Sequence, residues 1–184
     1  MADIHTSYMP TTGAKVTRKA DSLQFPYVSR PQAMTVYARF VEMGTVTEGN
    51  RILQISATDT NPRLVLFQTA TGQYAFRYQR STADQSQAGI AGGNAPSLGD
   101  TVELVGQLAA TGITTIIQSL NGGTEVSTAD TGAIEFAPTW AGGGTLWIGN
   151  VNSTLEGISG FRNILIVRGV QSLASMRRMA GVAR

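Results

Sequence analysis

The sequence predicts an all-β fold, a two-sheet antiparallel jelly-roll sandwich with one short helix near the C-terminus. Three observations predict it: short apolar runs that alternate with a period of two, turn-forming residues at brief intervals between them, and a single late stretch with helical spacing. At 184 residues the chain is long enough for one such domain. A domain of this size buries about 70% of the surface that its unfolded chain exposes.

Residues 1–14 are polar, contain Pro10 and Gly13, and show neither strand nor helix periodicity, so they read as an extended arm ahead of a single domain over 15–184. Ile4, Tyr8 and Met9 are too few to nucleate a core, yet they give the arm apolar anchors for a neighbouring subunit. Along 34–40, Met34, Val36, Ala38 and Phe40 fall on one face of a strand and should be core. Further strands follow at 52–55, 63–67 and 73–79, and Thr69-Ala70-Thr71-Gly72 makes the last two a hairpin. In 73–79, Tyr74, Phe76 and Tyr78 share one side, while Ala75, Arg77 and Gln79 share the other.

Residues 81–99 turn to Ser, Gln, Ala and Gly and read as a long loop with one short strand near 88–91. Strands resume at 101–108 and 113–120, and Asn121-Gly122-Gly123 is a tight-turn signal because Asn and Gly accept positive φ. The stretch 127–144, with Pro138, Trp140 and three consecutive glycines, reads as irregular and ends in the apolar Leu146-Trp147-Ile148. A long strand then places Phe161, Leu165 and Val167 on one side, as core. Ser172 caps a final helix in which Leu173, Met176, Met179 and Ala180 form the packed stripe, Arg177 and Arg178 suit the dipole of the last turn, and Gly181 stops it.

Composition excludes several functions. The 14 Lys and Arg residues are scattered and the net charge is only +2, so a nucleic-acid groove is not expected. Arg outnumbers Lys by twelve to two, which suits bidentate and interface pairing or reflects base composition of the gene. No cysteine is present, and the single histidine, His5, lies in the arm, so neither thiolate or histidine metal sites nor a Ser-His-Asp relay has a scaffold. Met1 to Pro10 lacks the basic and apolar regions of a signal peptide, and no apolar run reaches membrane-spanning length. The glycine-rich stretches lack a Gly-Lys-Ser/Thr ending, and Asp59-Thr60-Asn61-Pro62 reads as a turn in preference to a metal loop.

Glycoside hydrolysis needs two carboxylates facing one sugar. The nearest pair, Asp100 and Glu103, sits at odd spacing on a strand and points to opposite faces, so no catalytic residue, metal or other cofactor is expected. Aromatic residues remain as binding candidates, since exposed Tyr and Trp rings stack on sugars. Trp140, in its glycine-rich stretch, and Tyr74 and Tyr78, flanking Phe76, are the candidates; core packing is the rival reading for the tyrosines, and for Trp147 core is preferred.

The run Thr145-Leu146-Trp147-Ile148-Gly149-Asn150, followed by 155–167 (LEGISGFRNILIV) and Leu173-Ala174-Ser175-Met176, resembles the closing segment of laminin G-like members of the concanavalin A-like lectin and glucanase group. Residues 20–25 and 34–40 resemble that family's opening strands, so the likeness spans roughly residues 15–180. The resemblance implies a lectin-like sandwich of the kind found in tailed-phage virion proteins. It implies partners among other virion proteins or copies of the chain itself, with a cell-surface glycan as a further ligand. Head decoration, a tail or fibre part, and a free adhesion module all fit. Calcium-binding members carry carboxylates at the sheet rim, whereas this chain has Gly160-Phe161-Arg162-Asn163 there, so calcium is not expected.

Overall fold

A computed structural model describes residues 22–27, 33–42, 51–56, 62–81, 83, 85–134, 144–149 and 159–182. These residues form β1 (Ser22–Tyr27), β2 (Met34–Glu42), β3 (Arg51–Ser56), β4 (Arg63–Gln68), β5 (Tyr74–Gln79), β6 (Gln85–Gly89), β7 (Thr101–Leu108), β8 (Thr114–Leu120), β9 (Val126–Ala129), β10 (Gly144–Gly149), β11 (Ser159–Arg168) and α1 (Leu173–Met179). The strands make two antiparallel sheets, one of six in the order β1-β10-β3-β4-β5-β6 and one of five in the order β11-β2-β7-β8-β9.

Alternation along each strand decides what lies between the sheets. Met34, Val36, Ala38 and Phe40 of β2 enter the main core, where they join Leu53, Ile55, Leu64, Leu66, Tyr74, Phe76 and Tyr78 of the six-stranded sheet. The opposite face of the five-stranded sheet is partly covered. Tyr37 and Val105 pack there with Leu173 and Met176 of α1, forming a second, smaller cluster. The helix therefore covers part of this sheet's second face.

The two sheets come close together at Gly106. It stands opposite Val36 on the inward face of β7, and a Cβ built there would lie 2.4 Å from the Phe76 ring. The ring fits because the glycine has no side chain. At the β6 edge the two sheets are clasped by polar groups: the Ser86 and Thr114 hydroxyls lie 2.9 Å apart, and the Gln87 N–H donates to Asp130 Oδ2 at 2.8 Å. Burial alone would raise the Asp130 carboxyl, but the N–H of Gln87, the Ser86 hydroxyl and the N–H groups of Gly132 and Thr131 together hold it below the usual carboxylate range.

The turn residues behave as their chemistry dictates. Thr69 and Gln73 close the β4–β5 hairpin, with Gly72 at φ 79, and Asn121 and Gly122 at φ 53 and 72 supply the two left-handed residues of the β8–β9 turn. Several expectations are corrected. The short strand lies at Gln85–Gly89, where Ser86 and Ala88 face inward, and β9 occupies the start of the stretch expected to be irregular. A bulge between Phe161 and Asn163 breaks the alternation of β11. Phe161, Ile164 and Ile166 consequently face the main core, while Leu165 and Val167 face α1.

In α1 the Ser172 hydroxyl accepts from the Ser175 N–H at 3.2 Å and caps the helix as expected. Leu173 and Met176 are buried, but Met179 is 48% exposed; with only seven helical residues, its position has already turned away from the sheet. Residues 1–14, with Ile4, Tyr8 and Met9, lie outside the described residues, as do Trp140 and the 59–61 part of the expected turn.

Candidate functional site

The six-stranded sheet turns one face inward, and its other face carries a regular grid of side chains set by strand register. One row across the sheet reads Ser56, Arg63, Gln79, Gln85; the next reads Trp147, Gln54, Val65, Arg77, Gln87; the third reads Arg51, Phe67, Ala75, Gly89. Three arginines thus come from three adjacent strands and surround Val65. They line a cleft of about 470 Å³ together with Phe67, Gln68, Gln87 and the hairpin residues Thr69, Ala70 and Thr71.

Each guanidinium is tied to a neutral amide. Arg51 Nη1 donates to Gln54 Oε1 at 2.6 Å, Arg63 Nε to Gln79 Oε1 at 2.8 Å, and Arg77 Nε to Gln87 Oε1 at 2.6 Å. The Arg77 guanidinium also lies 4.9 Å from the centroid of the Phe67 ring, within cation–π range. At Arg77, glutamine fixes the direction of the guanidinium without cancelling its charge. Burial, and after it the charges of Arg63 and Arg51, lower the Arg77 pKa from its ordinary value. None of the described residues lining this cleft is acidic.

A second cleft, of about 670 Å³, lies on the far side of the molecule between the five-stranded sheet and the end of α1, and it holds Arg39, Glu103, Glu125 and Arg177. Glu103 is already committed there. Its carboxylate accepts from Arg177 Nη2 at 2.6 Å and from the Tyr37 hydroxyl at 2.8 Å, with both Arg177 and Glu103 buried. Burial would raise the Glu103 carboxyl, but these hydrogen bonds and the charges of Arg177 and Arg39 hold it below the usual range. The Tyr37 hydroxyl is pushed up by burial and by the adjacent carboxylate.

The structure separates the aromatic candidates. Tyr74 and Tyr78 are each 1% exposed, so neither ring can stack on a ligand; the Tyr74 hydroxyl instead donates to the buried Glu42 carboxylate. Trp147 reverses the expectation of a core position, because its partner across the ladder is Gln54, on the outer face, and it is half-buried there. Asp100 lies ahead of β7, bonded to the Ser97 N–H and the Asn121 amide, and Glu103 is in the ion pair, so the two never form a site. The arginine cleft was missed. Its only sequence signal was Arg and Gln alternating with apolar residues at Arg63, Arg77, Gln79 and Gln87, and cross-strand register is what assembles them. Among the described residues no three His, Cys, Asp or Glu side chains converge as a metal site, and no helix is long and apolar enough to cross a membrane.

The fold and the described sites define the class: a two-sheet antiparallel β-sandwich of the jelly-roll type. No protein-family model matches the sequence, and no curated protein matches it. Among solved structures, the chain is similar to the full-length tailspike protein 2 of Escherichia coli O157:H7 bacteriophage CAB120, with a TM-score of 0.62 and 14% identity over 88% of this chain and 23% of that one. It is similar to the CBM40 of a Ruminococcus gnavus sialidase bound to α2,6-sialyllactose, with a TM-score of 0.56 and 12% identity over 82% of each chain. It also resembles the LG1-3 region of the laminin α2 chain, with a TM-score of 0.61 and 7% identity over 80% of this chain and 30% of that one. The shared feature at these identities is the sandwich fold.

Proposed function

We propose that this chain is a glycan-binding β-sandwich module that works as a structural component of a phage particle. The observation that carries the binding half is the outer-face cleft: a shallow site on a lectin-like sheet, with amides, hydroxyls and guanidiniums directed by a rigid ladder toward one space. Such convergent polar groups over an apolar floor are what orient a sugar. Trp147 lies on the same face, three strands from Arg77 and so about 14 Å away at ordinary strand spacing. It takes the place of Tyr74 and Tyr78 as an aromatic contact for a neighbouring sugar unit. The tailspike likeness, over 88% of this chain, and the laminin G-like resemblance support a place in a tail, fibre or head decoration.

Binding without turnover is part of the proposal. The cleft brings arginines and glutamines to a ligand, and the Glu103 carboxylate on the opposite side is ion-paired and held ionised, unsuited to act as a general acid. A glycan array probed with the full chain tests the binding half, and absence of any binding overturns it. Mass spectrometry of purified particles tests the particle half: the chain should be a stoichiometric component, and a chain found only free in the lysate argues for a separate adhesion module.

A further inference from the structure

The second cleft, between the five-stranded sheet and the end of α1, holds a guanidinium that no described residue bonds. Arg39 follows Tyr37 by two positions on β2, so it shares the face on which Tyr37 meets α1, and its partner across the ladder is Glu103 of β7. That carboxylate is already filled. Its Oε1 accepts from the Tyr37 hydroxyl at 2.8 Å and from Arg177 Nε at 3.1 Å, and its Oε2 accepts from Arg177 Nε at 3.1 Å and Nη2 at 2.6 Å. Glu103 therefore attracts Arg39 through space without bonding it. Among the described residues no hydrogen bond or ion pair engages Arg39, and its enclosed Nε has no partner. An enclosed donor without an acceptor is unfavourable, and no bond within the described fold offsets it. The Nη pair opens instead to the cleft, which at about 670 Å³ is of the size that small-molecule ligands fill.

We propose that this cleft binds a small molecule through its carboxylate, with the two oxygens on the Arg39 Nη pair and Arg177 Nη1 as a further donor. A planar pair of N–H donors matches a carboxylate through two parallel hydrogen bonds. Glu125 marks the further contact. Its side chain is 45% exposed and its carboxylate rests 3.5 Å from Arg177 Nη1, so it is a loosely held carboxylate that an incoming one displaces. Two cations and two carboxylates are among the described residues lining the cleft, so selection rests on directed hydrogen bonds and not on net charge. A recess of this size, in place of a flat face, favours a free small molecule over the acidic side chain of a partner. The site lies on the far side of the molecule from the outer-face cleft and does not depend on the glycan-binding reading.

The test titrates the ¹⁵N-labelled full chain with succinate and with succinamide, its neutral counterpart, followed by NMR. Succinate should saturably shift the amide signals of Thr101, Asn121, Gly122 and Gly123, which line the cleft, and should bind about tenfold or more tightly than succinamide. Arg39→Gln should cut that affinity about tenfold or more. Arg39→Lys should keep only part of it, because an ammonium is a point charge without the planar fork. Glu125→Gln should act in the opposite direction and tighten binding, since it removes the resident competitor, while Arg178→Gln on the exposed side of α1 should leave affinity unchanged. Melting temperatures of all variants establish that they fold, and if Arg39→Gln does not, Arg39→Lys decides the question.

Equal affinity for succinate and succinamide, or binding of neither, overturns the inference whatever the glycan array shows. Affinity that survives both Arg39 substitutions overturns the assignment to Arg39. Tighter binding of inorganic sulfate than of succinate overturns the choice of carboxylate. Should succinate fail to bind while the chain self-associates in analytical ultracentrifugation, and Arg39→Gln abolish that association, the ligand is an acidic side chain of a second copy and the small-molecule proposal falls.

Discussion

The Tyr74 hydroxyl meets the Glu42 carboxylate inside the core, and the second carboxylate oxygen, Oε1, has no hydrogen-bond partner among the described residues. Tyr74→Phe would leave both oxygens unsatisfied, and it should lower stability by about 1–3 kcal/mol in urea unfolding. Gly106→Ala acts from the other sheet. Its new methyl group would overlap the Phe76 ring, so the same measurement should show a loss of about 1–3 kcal/mol although the residue is apolar and small. Neither contact was legible in the sequence. Alternation divides a strand into two faces, but it does not say which face of Leu146-Trp147-Ile148 turns inward; pairing with Gln54 decides that, and it sends Trp147 outward. For 73–79 the same alternation placed the three aromatics together, and only the partner sheet shows that all three are enclosed.

Among the elements, α1 is held to its sheet by one buried ion pair and a small apolar cluster. Removing Glu103 leaves the enclosed guanidinium with only its longer contact to Glu125, at 3.5 Å, so Glu103→Ala should cost about 3 kcal/mol, the lower end of the range for a broken buried pair, measured by chemical denaturation. Leu165→Ala thins the apolar part of the same contact. Leu165 is only half-buried, so its loss should fall near the lower end of the about 2–5 kcal/mol range for core truncation and below that of the fully buried Leu104→Ala. Strand positions and the two hairpin turns could be read from the chain because they rest on local rules: period-two alternation, Gly72, and Asn121-Gly122. The bulge in β11 could not, since one extra residue leaves no mark in Phe161-Arg162-Asn163 and yet exchanges the faces of everything after it. Arg177 was likewise assigned to the helix dipole, whereas a carboxylate distant in sequence claims it.

For the whole molecule, titrating groups set a pH window. Glu103 and Asp130 are held below their ordinary range, so the unfolded chain binds their protons more tightly; the stability they contribute is complete above about pH 5 and is lost as pH falls through their folded-state values. Tyr37 and Tyr74 are raised, first by burial, so their contribution is complete below about pH 10 and declines at higher pH. Melting temperature followed from acid to alkali should show a plateau with a fall at each end, and Glu103→Gln should shallow the acid limb. Sequence composition gave no sign of this, because pairing partners on distant strands create the shifts. Phe76 is mortised into the opposite sheet at Gly106, and Arg77, the next residue, stands in the cleft on the other side of the same strand. The strand behind the binding groups is thereby nailed down from the rear, which spares an incoming ligand much of the ordering cost that a loop-built site imposes. Loosening the joint with Phe76→Leu should thus weaken saccharide affinity in calorimetry, with no contact to the ligand altered, through a less favourable entropy of binding.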